Sequence, residues 1–109
     1  MRDASKVSHT TRFCVHADHP VLPGHFPGHP IVPGVMLLSA AMDYAQSQFG
    51  SDLRIEGIDQ AKFLTPLLPN QEAHLTISRT KWLKFSFELD GTLIAQGNFL
   101  IAEALPLTP

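Results

Sequence analysis

Residues 24–46 read GHFPGHPIVPGVMLLSAAMDYAQ: His25 and His29 sit among Pro27, Gly28, Pro30, Pro33 and Gly34, and an apolar run follows whose one carboxylate is Asp43. An imidazole takes and gives protons near neutral pH, and flanking prolines hold its backbone still, lowering the entropic cost of alignment. A helix that begins at Gly34 has free N–H groups at Gly34 and Val35, at the positive end of its dipole, where an anionic oxygen can be held. Gly34 has no side chain, so a carbonyl can come close to it. A carboxyl on a helix buried on every side is desolvated, which favours the neutral, proton-donating form. The stretch thus offers a base at His25, oxyanion donors at Gly34 and an acid at Asp43.

Each residue also has a plainer reading. A histidine in a Pro/Gly loop is by default a surface or hydrogen-bonding residue, and for His29 that is the expectation. Asp43 also fits a carboxylate bonded to backbone, and Ser39 fits a helix serine bonded to the carbonyl one turn back. His16, His19, His25 and His29 do not read as metal ligands. Pro27 stands between His25 and His29 and Pro30 follows, so no helix presents the pair together.

Positioning these groups requires a rigid frame, and the pattern supplies one. Residues 1–10 are polar and expected to fray, and residues 12–17 (RFCVHA) alternate as a short strand. Residues 18–33 form the extended Pro/Gly loop. Residues 34–49 lack internal Gly and Pro, with Gly50 as the stop, and read as a helix apolar all round in its first half. On it Ser39, Asp43, Gln46 and Ser47 share one narrow stripe. Strands are expected over 53–63, 72–80, 81–90 and 92–104, the last two joined at Asp90-Gly91, with Leu93, Ala95, Gly97, Phe99 and Ile101 on one face. One long apolar helix with four or five antiparallel strands predicts an α+β fold, a curved sheet wrapped around a central helix.

Bulk properties narrow the classes. The chain has 109 residues, 44% hydrophobic and 17% charged, enough for one domain with a modest core and too apolar for disorder. The formal charge of −2 with scattered basic residues gives no footprint for nucleic acid. The longest apolar run, 31–42, is broken by Pro33 and Gly34, so no membrane span is expected. The N-terminus lacks the apolar core of a signal peptide and Cys14 is alone, which fits a reducing, cytoplasmic setting.

The string GHFPGHPIVPGV (24–35) resembles the signature of the β-hydroxyacyl-acyl carrier protein dehydratases of the hot-dog superfamily. AKFLTPLLPNQE (61–72) resembles that family's F-x-x-P-x-x-P-G-D segment, with Asn70 and Gln71 where Gly and Asp are usual. FELDGTLIAQGNFLIA (87–102) resembles its closing hairpin. The resemblance covers about residues 12–104 and implies a single hot-dog domain over 1–109. It also implies dimers with merged sheets and active sites at the subunit interface. Residue by residue, His25 matches the catalytic histidine, and Gly34 the glycine whose N–H holds the thioester carbonyl. The family's catalytic Glu or Asp, fourteen residues after that histidine, falls on Ser39, which cannot protonate a leaving hydroxyl as a carboxylic acid does. Asp43 lies one turn further, where the family usually has Gln.

The implied activity is dehydration of a 3-hydroxyacyl thioester on acyl carrier protein, in fatty-acid or polyene-type synthesis, with no dissociable cofactor. His25 would be the base, Gly34 the oxyanion donor and Asp43, alone or with Ser39 and a water, the acid. Phe26, Pro33, Val35, Ser39 and Phe63 would line the substrate tunnel, and Lys62 would meet the acidic carrier at its rim. The chain would work as a homodimer or larger oligomer, or as a heteromer with another hot-dog chain. Two other readings stay open: a hot-dog thioesterase, and a partner subunit without activity of its own.

Overall fold

The computed structural model describes residues 7–20, 22, 30–50 and 52–103. Their elements are strand β1 (Val7–Phe13), helix α1 (Gly34–Phe49), and strands β2 (Leu53–Phe63), β3 (Ala73–Arg79), β4 (Leu83–Leu89) and β5 (Thr92–Glu103). All pairings are antiparallel, in the order β1-β3-β4-β5-β2. Strands β1 and β2, consecutive among the strands, therefore lie at opposite edges, and α1 spans the face between them. This is the α+β arrangement expected, one helix on a five-stranded antiparallel sheet.

Helix α1 starts where Pro33, extended at φ −62° and ψ 143°, hands over to Gly34. It stops at Gly50, whose φ of 93° suits glycine and whose N–H donates to the Gln46 carbonyl at 2.9 Å. Leu37, Ala41 and Ala45, spaced by four, are buried and face the sheet. Inward residues of the strands complete the core, with Leu75, Ile77, Phe87 and Phe99 all essentially inaccessible. Burying such side chains stabilises the fold by about 1.5–3 kcal/mol each.

Three expectations need correction. The first strand spans Val7–Phe13 rather than 12–17. Its polar sequence hid it: it is an edge strand with much of its surface exposed, held by pairing from Val7↔Arg79 to Phe13↔Ala73 and by a 3.0 Å bond between the Thr10 and Thr76 hydroxyls. Along β5 the alternation breaks at a bulge opposite Phe87/Glu88, so Leu93 pairs with exposed Glu88 and Ile94 enters the core beside Ala95. Finally, α1 is not buried on every side within one chain. The sheet covers one face only, and Val35, Ser39, Asp43, Gln46 and Ser47 lie on the exposed one.

Two bulges bend β2, the other edge strand, between Ile55/Gly57 and Ile58/Gln60. The bend brings its backbone over Gly97, where any side chain would collide with the Gln60 carbonyl. The connector to β3 is tied down by backbone bonds from Val32 N–H to Leu67 O (2.8 Å) and from Leu64 N–H to Ile94 O (2.8 Å). At its end Asn70 adopts φ 68°, a conformation Asn tolerates better than most residues, and accepts the Ala17 N–H at 3.0 Å through Oδ1. The β4–β5 hairpin turns on Asp90 (φ 49°) and Gly91 (φ 82°), as the Asp-Gly pair predicts.

Candidate active site

Proline at the N-cap offers no capping side chain, and among the described residues no side chain caps α1; no acidic residue stands in its first turn. An α-helix leaves its first N–H groups without intrahelical partners. The Met36 N–H donates to the Pro33 carbonyl at 3.0 Å, and Gly34 ahead of it lines an apolar cavity of about 710 Å³, between the segment leading into α1 and the connector after β2. Pro33, Gly34 and Phe63, all expected at the site, line it together with Leu37, Pro66 and Leu67. The bond from Val32 N–H to Leu67 O fastens the two walls to each other.

Gly34 also leaves room for a close aromatic neighbour. A Cβ built on it would stand 3.0 Å from Cε1 and Cζ of Phe63, so the aromatic ring packs directly over the start of the helix. Phe63 is itself 50% exposed. An aromatic wall with one open side suits an apolar chain passing along it more than a closed core contact.

A second hollow, about 340 Å³, lies on the open face of α1 and is lined by Phe13, Val35, Met36, Ser39, Ala40 and Asp43. It joins Val35, Ser39 and Asp43, three residues singled out from the sequence, as the spacing i, i+4, i+8 requires. Neither Ser39 nor Asp43 has a hydrogen bond or ion pair among the described residues. The desolvated carboxyl expected from a fully buried helix is not found in the single chain, because this face carries no cover: Asp43 is exposed and Val35 is 68% accessible.

His25, Phe26 and His29 lie outside the described residues. Lys62 lines neither hollow. It pairs with Gln96 on the sheet's outer side, while Phe63, the next residue, turns inward toward α1. Consecutive strand residues point to opposite faces, so the two side chains leave β2 on opposite sides of the sheet. Phe13 was missed as a wall of the Asp43 hollow, since it belongs to the strand whose limits the sequence obscured. Pro66 and Leu67 belong to the segment noted for its family resemblance but were not named as site residues; the signal was the apolar pair Leu67-Leu68 inside a connector. Among the described residues no cluster of His, Cys, Asp or Glu could hold a metal, and no helix is long and apolar enough to cross a membrane.

The model of the ApeI-like family, described as ApeI dehydratase, matches residues 2–98. The 3-hydroxyacyl-acyl-carrier-protein dehydratase FabZ of Myxococcus xanthus is 32% identical over 104 residues, covering 79% of this chain and 66% of that protein. The dehydratase of the same name from Nitratiruptor sp. is 33% identical over 103 residues, covering 83% and 69%. The chain thus spans about two thirds of the length of these relatives. Among solved structures, the dehydratase heterocomplex ApeI:P from Xenorhabdus doucetiae matches with a TM-score of 0.81 at 25% identity, over 94% of this chain and 93% of that one. An uncharacterised protein from Erwinia carotovora subsp. atroseptica matches at 0.82 with 24% identity, over 97% and 91%. The fold is the hot-dog fold that the sequence resemblance implies.

Proposed function

Because the chain belongs to the ApeI-like dehydratase family, we propose that it removes water from a 3-hydroxyacyl thioester carried on acyl carrier protein, leaving the trans-2-enoyl thioester. His25 takes the proton from C2, and the N–H of Gly34 donates to the thioester oxygen as negative charge builds on it. The C3 hydroxyl leaves with a proton from Asp43, relayed by Ser39 or a water, and the C2–C3 double bond forms. The thioester itself acidifies C2, so this reaction requires no dissociable cofactor. The observation that carries the reading is the uncapped start of α1 at Gly34, opening on an apolar cavity walled by Phe63.

The uncovered hollow around Ser39 and Asp43 supports a second chain as part of the working enzyme, since an acid catalyst is most effective away from bulk water. A homodimer or a pairing with another hot-dog chain would supply that cover; the matching structure from Xenorhabdus doucetiae is itself a dehydratase heterocomplex. The same exposed stripe, with Ser39 at the acid position, keeps the partner-subunit reading in play. Incubation with a 3-hydroxyacyl thioester and, separately, a saturated acyl thioester tests the proposal. Enoyl product from the first with no free thiol from the second is expected. Release of thiol from both would replace dehydration by hydrolysis, and inertness toward both until a second hot-dog chain is added would favour a partner subunit.

A further inference from the structure

The outer face of the sheet carries a cleft that the proposed reaction does not use. Its volume is about 360 Å³, and eight of its lining side chains are polar: Gln60, Lys62, Thr76, Ser78, Lys84, Ser86, Gln96 and Asn98. The register arranges them in two adjacent rows. Thr76, Ser86, Gln96 and Lys62 stand opposite one another across β3, β4, β5 and β2, and Ser78, Lys84, Asn98 and Gln60 form the next row.

The side chains of Lys62, Lys84, Ser78, Ser86, Gln60 and Gln96 have no hydrogen-bond or ion-pair partner among the described residues. Thr76 is bonded to Thr10, and Asn98 donates to Asp59 Oδ2 at 2.9 Å, which engages that carboxylate. No carboxylate lines the cleft itself. In a chain of formal charge −2, two uncompensated ammonium groups on one small surface stand out. Their backbones are separated by two strand spacings and one row, about 12 Å, so the long side chains can converge on one ligand above β5. Two cations, three hydroxyls and three carboxamides form a set rich in donors, the set that holds phosphate oxygens.

We infer that this outer-face cleft binds a small phosphate ester, with Lys62 and Lys84 neutralising the phosphate and Ser78, Ser86 and Gln96 donating to it. The ligand is either a free small-molecule phosphate or the phosphate of a pantetheine arm; both present the same chemistry. Its binding does not depend on the dehydratase reading, because the cleft lies on the side of the sheet away from α1.

The test uses the full chain, isotopically labelled, titrated with sodium pyrophosphate and with sodium chloride at matched ionic strength, following backbone amide resonances. Saturable shifts at Ser78, Lys84, Ser86, Gln96 and Asn98 are expected with pyrophosphate only, with a dissociation constant on the order of 1 mM or tighter. Lys84→Gln should weaken binding about tenfold and Lys84→Arg should retain it, since charge carries the contact. Unchanged melting temperatures in both variants separate lost binding from lost fold. 4′-Phosphopantetheine, methyl phosphate and phosphate-free pantetheine then identify the source. Tighter saturation by 4′-phosphopantetheine than by methyl phosphate, with none by pantetheine, assigns the cleft to a pantetheine arm, and no advantage for 4′-phosphopantetheine assigns it to a free phosphate. Shifts that do not saturate, equal shifts with chloride, or undiminished binding by Lys84→Gln would overturn the site.

Discussion

Two regions depart from the pattern of the dehydratases this chain resembles, and the chain treats them differently. In the connector, Asn70 and Gln71 replace Gly and Asp. Asn70 still reaches φ 68°, and its side chain takes the Ala17 N–H, while Gln71 Oε1 accepts the Leu68 N–H at 2.8 Å. The backbone course is restored on the spot. On α1, the family resemblance puts Ser39 at the position of the catalytic acid, and the one carboxylate of the helix is at Asp43, one turn on, roughly 6 Å along the axis at 1.5 Å per residue. A backbone conformation is a demand that several residues meet with local hydrogen bonds. A proton donor is a demand on chemistry, which hydroxyl and carboxyl do not share.

The sharpest way to break this contrast is through turnover. His25→Ala should lower kcat by about 10³-fold or more, the upper range for a general base that also aligns the substrate. Asp43→Asn should lower kcat by about 10²-fold with oligomeric state and melting temperature unchanged, since the residue is exposed in the chain and makes no bond among the described residues. Full activity in Asp43→Asn would make the helix departure structural, like the connector's, and the contrast would vanish. A smaller effect sharpens it: adding Ser39→Glu to Asp43→Asn should recover about tenfold of the loss, because a carboxyl then stands at the family's position. Steady-state kinetics on a 3-hydroxyacyl thioester reads all three variants.

How much was legible follows from what each signal depends on. The limits of α1 and β2 could be read because Gly34, Gly50 and the Pro-rich connector mark them locally. The start of β1 could not, since a polar edge strand has no apolar alternation and exists through its partner β3. The inward turn of Ile94 depends on a bulge fixed by strand pairing, which no local pattern encodes. For the site, the grouping of Pro33, Gly34 and Phe63 rested on the family resemblance, and that of Ser39 with Asp43 on helical spacing. The open face of α1 was misread for a physical reason: composition registers how apolar a helix is, not whether its cover comes from its own chain or another. The separation of Lys62 from Phe63 was available from strand alternation alone.

The smallest effects test the connector half of the contrast. Asn70→Ala loses both the tolerance of a left-handed backbone and the acceptor for Ala17, and should destabilise the fold by about 1–2 kcal/mol. Asn70→Gly restores the residue usual at that position. It keeps the conformation at no steric cost and loses only the Ala17 bond, so its change should stay within about 1 kcal/mol. Gln71→Ala removes one exposed acceptor from the Leu68 N–H, which water can replace, and should cost about 0.5 kcal/mol. Denaturant midpoints at constant slope rank the three. Local repair of the backbone requires Asn70→Ala to be the most damaging, Asn70→Gly the next and Gln71→Ala the least. If Asn70→Gly proves as damaging as Asn70→Ala, the side-chain bond to Ala17 rather than the left-handed turn is what Asn70 contributes, and the connector departs from the family in chemistry as well.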